Sequence, residues 1–505
     1  MSKRTFLAAL ASVALLAACD KSKEDEIVSV SFSSFGFYAK DNADVLKSDY
    51  IEESFNSDAI SFTLPYGTDP DALKTLVPEF TVTEGASVNV ADASGAPDGK
   101  DIVSGSTPID CSSDVQLVVF LKNNYKAYKL SVKIAEPAKW SKLAETALVV
   151  KADPVLAVNP KDGVPYVAGS APNAENVAEP HLFKLDGAEL KDVAGALVNV
   201  ASDIFAMDIC PDGTPYVSFY NKTATKQCVV KISGSEAEYV GGAAALYKTG
   251  SGSNSSVGLF AFSASDIWCA QRNEDRNVNV VRRALNLAHY DGSTWTNAIP
   301  ISGRNVNDYA YCVLGKYVAN VPYLLVFNQN TNSISLYKYA SNAWSAVFES
   351  LKLKKADGTA DAKLNLRALD FDIASGGDIY VMVGADYSVE DLYNLGVVRI
   401  AAKDNSQTLI GGELSIDINK SRSASMGLDN NDVPYLVYTK PEGKVKYACI
   451  THIDAKSKTW STDEKLSPNP SDFVVLRYDD KGRGYIVSSE TIGESKKYVL
   501  YSSAE

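Results

Sequence analysis

The sequence predicts an all-β protein in which a β-sandwich precedes a seven-bladed β-propeller. Two observations predict the propeller: a strand, a tight turn and an aromatic residue recur together in the carboxy-terminal part of the 505-residue chain, and their spacing is nearly constant. The recurring aromatics are Tyr166, Tyr216, Trp268, Tyr323, Tyr380, Tyr435 and Tyr485. A repeat of about 50 residues in a strand-rich chain is typical of propellers, whose four-stranded blades bury their faces against one another.

A tryptophan-bearing segment before the first repeat predicts how the propeller closes. Several repeats end in a turn and a tryptophan strand, as at Trp295 and Trp460, but the last repeat has room for only one strand after Tyr485. The segment around Trp140 can supply the missing outer strand, which would leave no open sheet edge. The predicted propeller therefore spans residues 138–505.

Residues 27–137 predict the β-sandwich. Polar and apolar residues alternate in short segments such as Ile60–Leu64 and Tyr128–Ile134, and turn residues separate these segments. This period of two is typical of strands with one buried face. The pieces Leu64-Pro65-Tyr66-Gly67 and the closing Tyr128 strand resemble the immunoglobulin-like domains that begin surface lipoproteins of the Bacteroidetes. The resemblance implies that this domain is an immunoglobulin-like spacer.

Residues 1–18 predict a lipoprotein signal peptide. Lys3 and Arg4 precede the apolar run Phe6–Ala18, which is too short for a retained membrane helix. Leu16-Ala17-Ala18-Cys19 resembles a bacterial lipobox, which implies that Cys19 is acylated and anchors the chain in a membrane.

The charged residues 19–26 resemble the acidic export tether of Bacteroidetes lipoproteins. Nearly the whole chain resembles two-domain surface lipoproteins of that group, a resemblance that names no ligand. It implies an outer-membrane lipoprotein exposed at the cell surface, with a periplasm-facing protein as the alternative.

The composition of the chain limits the kinds of partner and cofactor that we expect. The formal net charge is -13 and 46% of the residues are hydrophobic, so the chain can form two cores and repels nucleic acid. Apart from Cys19, the six cysteines lack the spacing of metal ligands or of a disulfide scaffold. We therefore expect small buried thiols, no metal and no cofactor.

Aligning the repeats predicts a ring of polar residues at one mouth of the central channel. Counting back thirteen residues from each aromatic, with corrections for turn length, reaches the start of each innermost strand. This slot holds Asp153, Asp203, Ser256, Asp308, Arg367, Arg422 and Asp472. Ligands commonly bind where such elements converge, and the two arginines could hold a carboxylate. Alternatively, the ring forms ion pairs within itself or caps turns.

Longer loops on the same side add Arg272, Tyr387 and Tyr393 to the predicted ligand-binding residues. Exposed tyrosines can stack on sugar rings or anchor a protein contact.

The sequence assigns no catalytic residue. His289 and His452 occupy equivalent places on third strands, which we expect to face solvent. The predicted function is therefore ligand binding by the propeller, with a glycan or another envelope protein as the ligand. A polysaccharide hydrolase or lyase is the alternative, because propeller enzymes assemble paired carboxylates from distant loops. A structural role in an envelope complex is a third interpretation.

Overall fold

The computed structural model describes residues 29–503 except 56, 93, 152, 249–256, 276–282, 300, 302–309, 311, 329–330, 332, 354–366, 388–391 and 415–422. The chain forms two compact units. The first runs to Thr63 and continues from Asp71 to Lys133, and the second consists of Leu64–Pro70 and Ile134–Glu505. In the part that the structure describes, no helix has the length and apolar character needed to cross a bilayer.

The first unit is a β-sandwich with one short 3-10 helix, Pro70–Thr75, at its boundary. Its strands are β1 (Phe32–Phe37), β2 (Tyr50–Glu52), β3 (Ala59–Leu64), β4 (Pro78–Val82), β5 (Ser87–Ala91), β6 (Pro97–Asp101), β7 (Val115–Leu121) and β8 (Asn124–Ile134). One sheet has the order β2-β1-β4 and the other the order β3-β8-β7-β5-β6.

The alternation in the sequence places aromatic side chains between these two sheets. Strand β3 buries every second residue, and the ring of Phe62 packs on Phe37 with centroids 5.6 Å apart. Phe32 of β1 lies 5.0 Å from Tyr128 of β8. Such aromatic pairs stabilise a core beyond the area that they bury. The immunoglobulin-like assignment of this sandwich stays a prediction.

The second unit is built from strands alone in its described part. They are β9 (Trp140–Thr146), β10 (Val155–Val158), β11 (Pro165–Pro172), β12 (Ala178–Asp186), β13 (Glu189–Asp192), β14 (Ser202–Ile209), β15 (Pro215–Asn221), β16 (Lys226–Ser233), β17 (Glu236–Tyr239), β18 (Val257–Ser263), β19 (Asp266–Arg272), β20 (Leu285–Tyr290), β21 (Trp295–Thr296), β22 (Cys312–Val318), β23 (Val321–Asn328), β24 (Ser333–Ala340), β25 (Ala343–Lys352), β26 (Arg367–Ile373), β27 (Ile379–Tyr387), β28 (Leu392–Ile400), β29 (Gln407–Leu414), β30 (Ala424–Leu428), β31 (Pro434–Glu442), β32 (Val445–His452), β33 (Glu464–Tyr478), β34 (Gly484–Ile492) and β35 (Ser495–Ser503).

The described strands group into seven successive four-stranded sets, which we number as blades 1 to 7. Blades 1 to 5 are β10–β13, β14–β17, β18–β21, β22–β25 and β26–β29. Blade 6 is β30, β31, β32 and the first part of β33, and blade 7 is the rest of β33 with β34, β35 and β9. The innermost strand of each blade contacts that of the next, and β33 contacts β10. The predicted all-β propeller class is confirmed.

The strand around Trp140 closes the ring as the sequence predicts. In blade 7, β9 runs antiparallel to β35, with Trp140 opposite Ser503 and Ala144 opposite Leu500. Its other edge pairs in parallel with β13 of blade 1 at Glu145 and Thr146. Both edges of this strand are therefore used, so the outer edges of the first and last blades are covered.

Hydrophobic clusters lie between successive blades, because each central strand carries apolar residues on both faces. On β15, Val217 and Phe219 pack toward blade 1, whereas Tyr216 and Tyr220 pack toward blade 3. Burying one large apolar side chain stabilises a protein by about 1.5–3 kcal/mol. A blade therefore depends on both neighbours for its stability.

The described cysteines Cys111, Cys210, Cys228, Cys269 and Cys449 are buried and form no disulfide, as expected of small core residues. Burial raises the pKa of the Cys269 thiol to about 12, so the thiolate is scarce at neutral pH.

Replacing Ala144 with aspartate tests the closing strand. Ala144 is 1% exposed, and a carboxylate there would lose water without gaining a partner. We expect the free energy of unfolding to fall by about 3 kcal/mol or more. Denaturant titration followed by tryptophan fluorescence measures this change in the propeller, because all five tryptophans lie in the second unit.

Ser141→Asp is the matched control, since Ser141 is exposed on the same strand and should change stability by less than about 0.5 kcal/mol. Equal effects of the two substitutions would contradict closure by this strand.

Candidate ligand site at the central channel

The structure places the described members of the predicted mouth ring at the starts of innermost strands. Asp153 lies just before β10, Asp203 is in β14 and Asp472 is in β33. Arg367 begins β26, but its side chain is outside the described part. Asp308 and Arg422 lie outside the described residues altogether, as does Cys19.

Three charged side chains of the predicted ligand-binding residues form ion pairs with nearby residues. Asp203 accepts a bond from Lys222 at 3.1 Å, Asp472 pairs with Lys496, and Arg272 pairs with Glu274. The first two pairs are largely exposed to solvent, and such pairs contribute up to about 1 kcal/mol each. Tyr387 and Tyr393 lie opposite Leu392 and Asp386 on paired strands, and their side chains are outside the described part. The ligand-binding role of this ring stays a prediction.

A second repeat slot, nearer the other end of the innermost strands, holds more closely connected charges. Each recurring aromatic pairs across the first two strands of its blade with one residue of the innermost strand. From blade 1 to blade 7 these residues are Ala157, Asp208, Phe260, Lys316, Asp372, Gly427 and Arg477.

The carboxylates near this slot accept bonds from the amides of the next blade. An innermost strand has no further strand on its channel side, so its amides there need other acceptors. Asp208 accepts from Ala261 N at 2.6 Å, and Asp372 accepts from Leu428 N at 3.0 Å. Asp370 accepts from Met426 N at 3.2 Å. These side chains link innermost strands that share no backbone ladder.

Lys316 and Arg477 neutralise the carboxylates of blade 5. Lys316 Nζ donates to Asp372 Oδ2 and to the carbonyl of Phe371, both at 3.0 Å, and lies 3.4 Å from the Met426 carbonyl. Its three donors are therefore used. Arg477 Nη1 lies 3.4 Å from Asp370 Oδ2. Removing one partner of a buried pair costs about 3–5 kcal/mol, so we assign this cluster a structural role.

The pKa of Asp370 reflects this balance. Burial acts to raise it, but the charges of Lys316 and Arg477 and the bonds from Ser425 and Met426 hold the pKa below its usual value. The carboxylate therefore stays ionised at neutral pH.

Asp208 differs because its described partners carry no positive charge. Its carboxylate accepts bonds from the amides of Ile209 and Ala261 and from the hydroxyl of Tyr317, the last at 3.1 Å. Burial raises the pKa of Asp208 to about 7, and these three bonds offset only part of that effect. Burial, with the nearby carboxylate, also raises the pKa of Tyr317. This pair can therefore hold or release a proton near neutral pH.

Aromatic rings continue from Tyr317 across blades 3 and 4. Phe262 stacks on Tyr339 with centroids 5.0 Å apart and lies 6.3 Å from Tyr317. Tyr339 in turn lies 5.3 Å from Trp268. Phe262 and Tyr339 are half-buried, so each residue keeps some surface exposed to solvent.

A histidine and a second carboxylate end this row. His289 stacks on Trp268 at 4.4 Å, and its Nε2 lies 2.9 Å from Asp266 Oδ1. The indole of Trp268 donates to the same oxygen at 3.0 Å. The side chain of His289 is 30% exposed, so the strand face that we expected to face solvent is partly covered at this position by the indole of Trp268. His452 is also partly buried, and burial lowers its pKa.

We call this set the aromatic-acidic site. It consists of Asp208, Phe262, Asp266, Trp268, His289, Tyr317 and Tyr339. The sequence analysis missed it because counting thirteen residues back from the aromatics reaches the wrong end of the innermost strands. Counting back eight reaches Asp208, Asp372 and Arg477, and counting back seven from Tyr323 reaches Lys316.

No metal is implied by the described residues, in which no three or more histidine, cysteine or acidic side chains are grouped to hold an ion. The site can instead offer carboxylate oxygens that accept hydrogen bonds from ligand hydroxyls, a titratable carboxyl group and flat aromatic surfaces.

Asp208→Asn tests the raised pKa through stability. Because the folded pKa of about 7 lies above the usual value, the folded protein holds more protons between about pH 4 and 7. The free energy of unfolding therefore falls as pH rises through this window, by on the order of 1 kcal/mol per pH unit. The asparagine variant lacks this titration, so its excess stability over the wild type should grow from pH 5 to pH 7.5.

Urea midpoints from tryptophan fluorescence at several pH values measure the difference. Asp186→Asn, at an exposed aspartate of blade 1, is the control and should follow the wild type. If the urea midpoints of the wild type and of Asp208→Asn changed in parallel with pH, the raised pKa of Asp208 would be contradicted.

Comparison with known proteins does not assign the chain to a family. No family model matches it, and no curated protein matches it. Solved structures that it resembles include a PL25 ulvan lyase bound to -[GlcA(1-4)Rha3S]-, with 9% identity over 71% of this chain and 94% of that one and a TM-score of 0.46. Puromycin hydrolase has 13% identity over 71% and 54%, with a TM-score of 0.42. The intramolecular trans-sialidase from Ruminococcus gnavus has 10% identity over 70% and 94%, with a TM-score of 0.34. Similarities this weak carry no argument about activity.

Proposed function

We propose that the propeller binds a glycan at the aromatic-acidic site. The observation that carries the proposal is the half-buried Phe262–Tyr339 stack, which is connected through Tyr317 to the carboxyl group of Asp208. Binding sites commonly combine aromatic surface with a few polar groups that fix the orientation of the ligand. Sugar rings offer both a C–H face that can stack and hydroxyls that can donate to carboxylates.

Phe262→Ala and Tyr339→Ala test this proposal. Each substitution removes a stacking surface whose contribution is about 0.5–1.5 kcal/mol, so affinity should fall about twofold to tenfold. A glycan array probed with the full chain in detergent identifies a ligand, and calorimetry on that ligand measures the change.

Tyr125→Ala is the matched control, since Tyr125 is 64% exposed in the first unit and outside the site. An equal loss of glycan affinity in all three variants, or no loss in the Phe262 and Tyr339 variants, would contradict binding at the aromatic-acidic site. No array signal together with a co-purifying protein would favour an envelope-protein partner or a structural role.

Polysaccharide hydrolysis or elimination is a second candidate, and the Asp208–Tyr317 pair favours it. A general acid works best when its pKa lies near the working pH, and that of Asp208 is raised to about 7 by burial. Product release from a bound polysaccharide would support this candidate. Asp208→Asn should then abolish turnover while binding persists, whereas binding without any product supports the glycan-binding function alone.

We also infer from the sequence that Cys19 carries a lipid anchor on an outer-membrane lipoprotein. The support is the lipobox-like segment and the apolar run before it. More than one acyl chain gives stable anchoring. Cells fed an alkyne-labelled fatty acid should label the wild type but not Cys19→Ser, and the variant should leave the detergent phase in partitioning. Equal labelling of both proteins would contradict acylation at this position.

A further inference from the structure

We infer that the aromatic-acidic site selects uncharged glycans with vicinal hydroxyls and rejects polyanionic ones. This inference rests on the proposed glycan binding and adds the class of glycan. It follows from the charges around the aromatic row and from the oxygen atoms that remain available there.

The carboxylate of Asp266 has one oxygen that is hydrogen-bonded and one that is available to a ligand. One oxygen of its carboxylate, Oδ1, accepts hydrogen bonds from both Trp268 Nε1 and His289 Nε2. These two bonds fix the orientation of a side chain that is 38% exposed. Among the described residues, nothing binds its other oxygen, Oδ2. A carboxylate oxygen held in place beside an aromatic face is an acceptor for ligand hydroxyls.

The second step is that no lysine or arginine among the described residues forms an ion pair with Asp266 or Asp208. The partners of Asp266 are an indole and an imidazole, and those of Asp208 are two amides and a phenol. Lys316, on the neighbouring innermost strand β22, donates to Asp372 and to two carbonyls. An acidic sugar would therefore bring a carboxylate or sulfate toward Asp266, with which no described lysine or arginine is paired, and the two negative charges would repel each other.

Hydroxyl groups of a neutral sugar are attracted by Asp266, whereas acidic groups are repelled. Two adjacent hydroxyls of a sugar can donate to the free oxygen of Asp266 while the ring stacks on Tyr339 or Phe262. A bond to a charged acceptor is about twice as strong as a neutral one. The geometry thus favours a neutral polysaccharide over both acidic and featureless apolar ligands.

The experiment compares four probes on the full chain at pH 8. They are laminarin and yeast mannan as neutral glycans, polygalacturonate as an acidic glycan, and chitosan oligosaccharide as a cationic one. We expect a neutral probe to bind at least about tenfold more tightly than polygalacturonate. Asp266→Asn should weaken neutral binding about tenfold and narrow the difference between the two classes.

Asp186→Asn serves as the control for the loss of one negative charge elsewhere on the propeller, and circular dichroism verifies that both variants fold. Tighter binding of polygalacturonate, or of chitosan over both neutral probes, would overturn this inference while leaving glycan binding intact. Unchanged neutral binding by Asp266→Asn would also overturn it. Binding of none of the four probes, with an empty glycan array, would overturn the proposed function as well.

Discussion

The propeller depends on satisfying the backbone amides of its innermost strands. Each of these strands is the inner edge of its blade, so its channel-side amides have no ladder partner and cannot be left bare in a narrow interior. Asp208, Asp370 and Asp372 reach from one blade to accept bonds from the next. The same bonds that satisfy the amides therefore hold neighbouring blades in register around the channel, in addition to the apolar clusters between them.

Carboxylates in such positions need compensation for lost hydration, and the two sides of the channel provide it differently. Toward blades 5 to 7, Lys316 and Arg477 neutralise Asp372 and Asp370, which keeps those charges fixed. Toward blades 2 to 4, Asp208 faces the hydroxyl of Tyr317 instead of a cation. Burial is compensated there by a raised pKa rather than by an ion pair.

Much of the fold could be predicted from the sequence, because each blade must repeat an apolar strand, a turn and an aromatic that packs on its neighbour. Trp140 could likewise be assigned to the closing strand, since the last repeat lacks an outer one. The candidate site could not be predicted in the same way. Asp208, Ala261 and Tyr317 are separated by 50 or more residues, and only the pairing register shows that they meet. The partners of His289 could not be predicted either, because alternation along a strand does not show that the indole of Trp268, on the neighbouring strand, stacks on its ring.

The breakdown of repeat symmetry explains why the candidate site lies where it does. The slot opposite the aromatics holds Ala157, Phe260 and Gly427 in three blades, so the ring of charges is interrupted. At Phe260 the interruption lets Tyr317 cross to Asp208 and opens the row of rings that leads to Asp266. A fully charged ring would be saturated by its own ion pairs and would offer little to a ligand. Because blade 3 contributes an aromatic there, this sector keeps a titratable carboxyl group and a carboxylate oxygen without a described hydrogen-bond donor beside flat apolar surface, a combination common in ligand-binding sites.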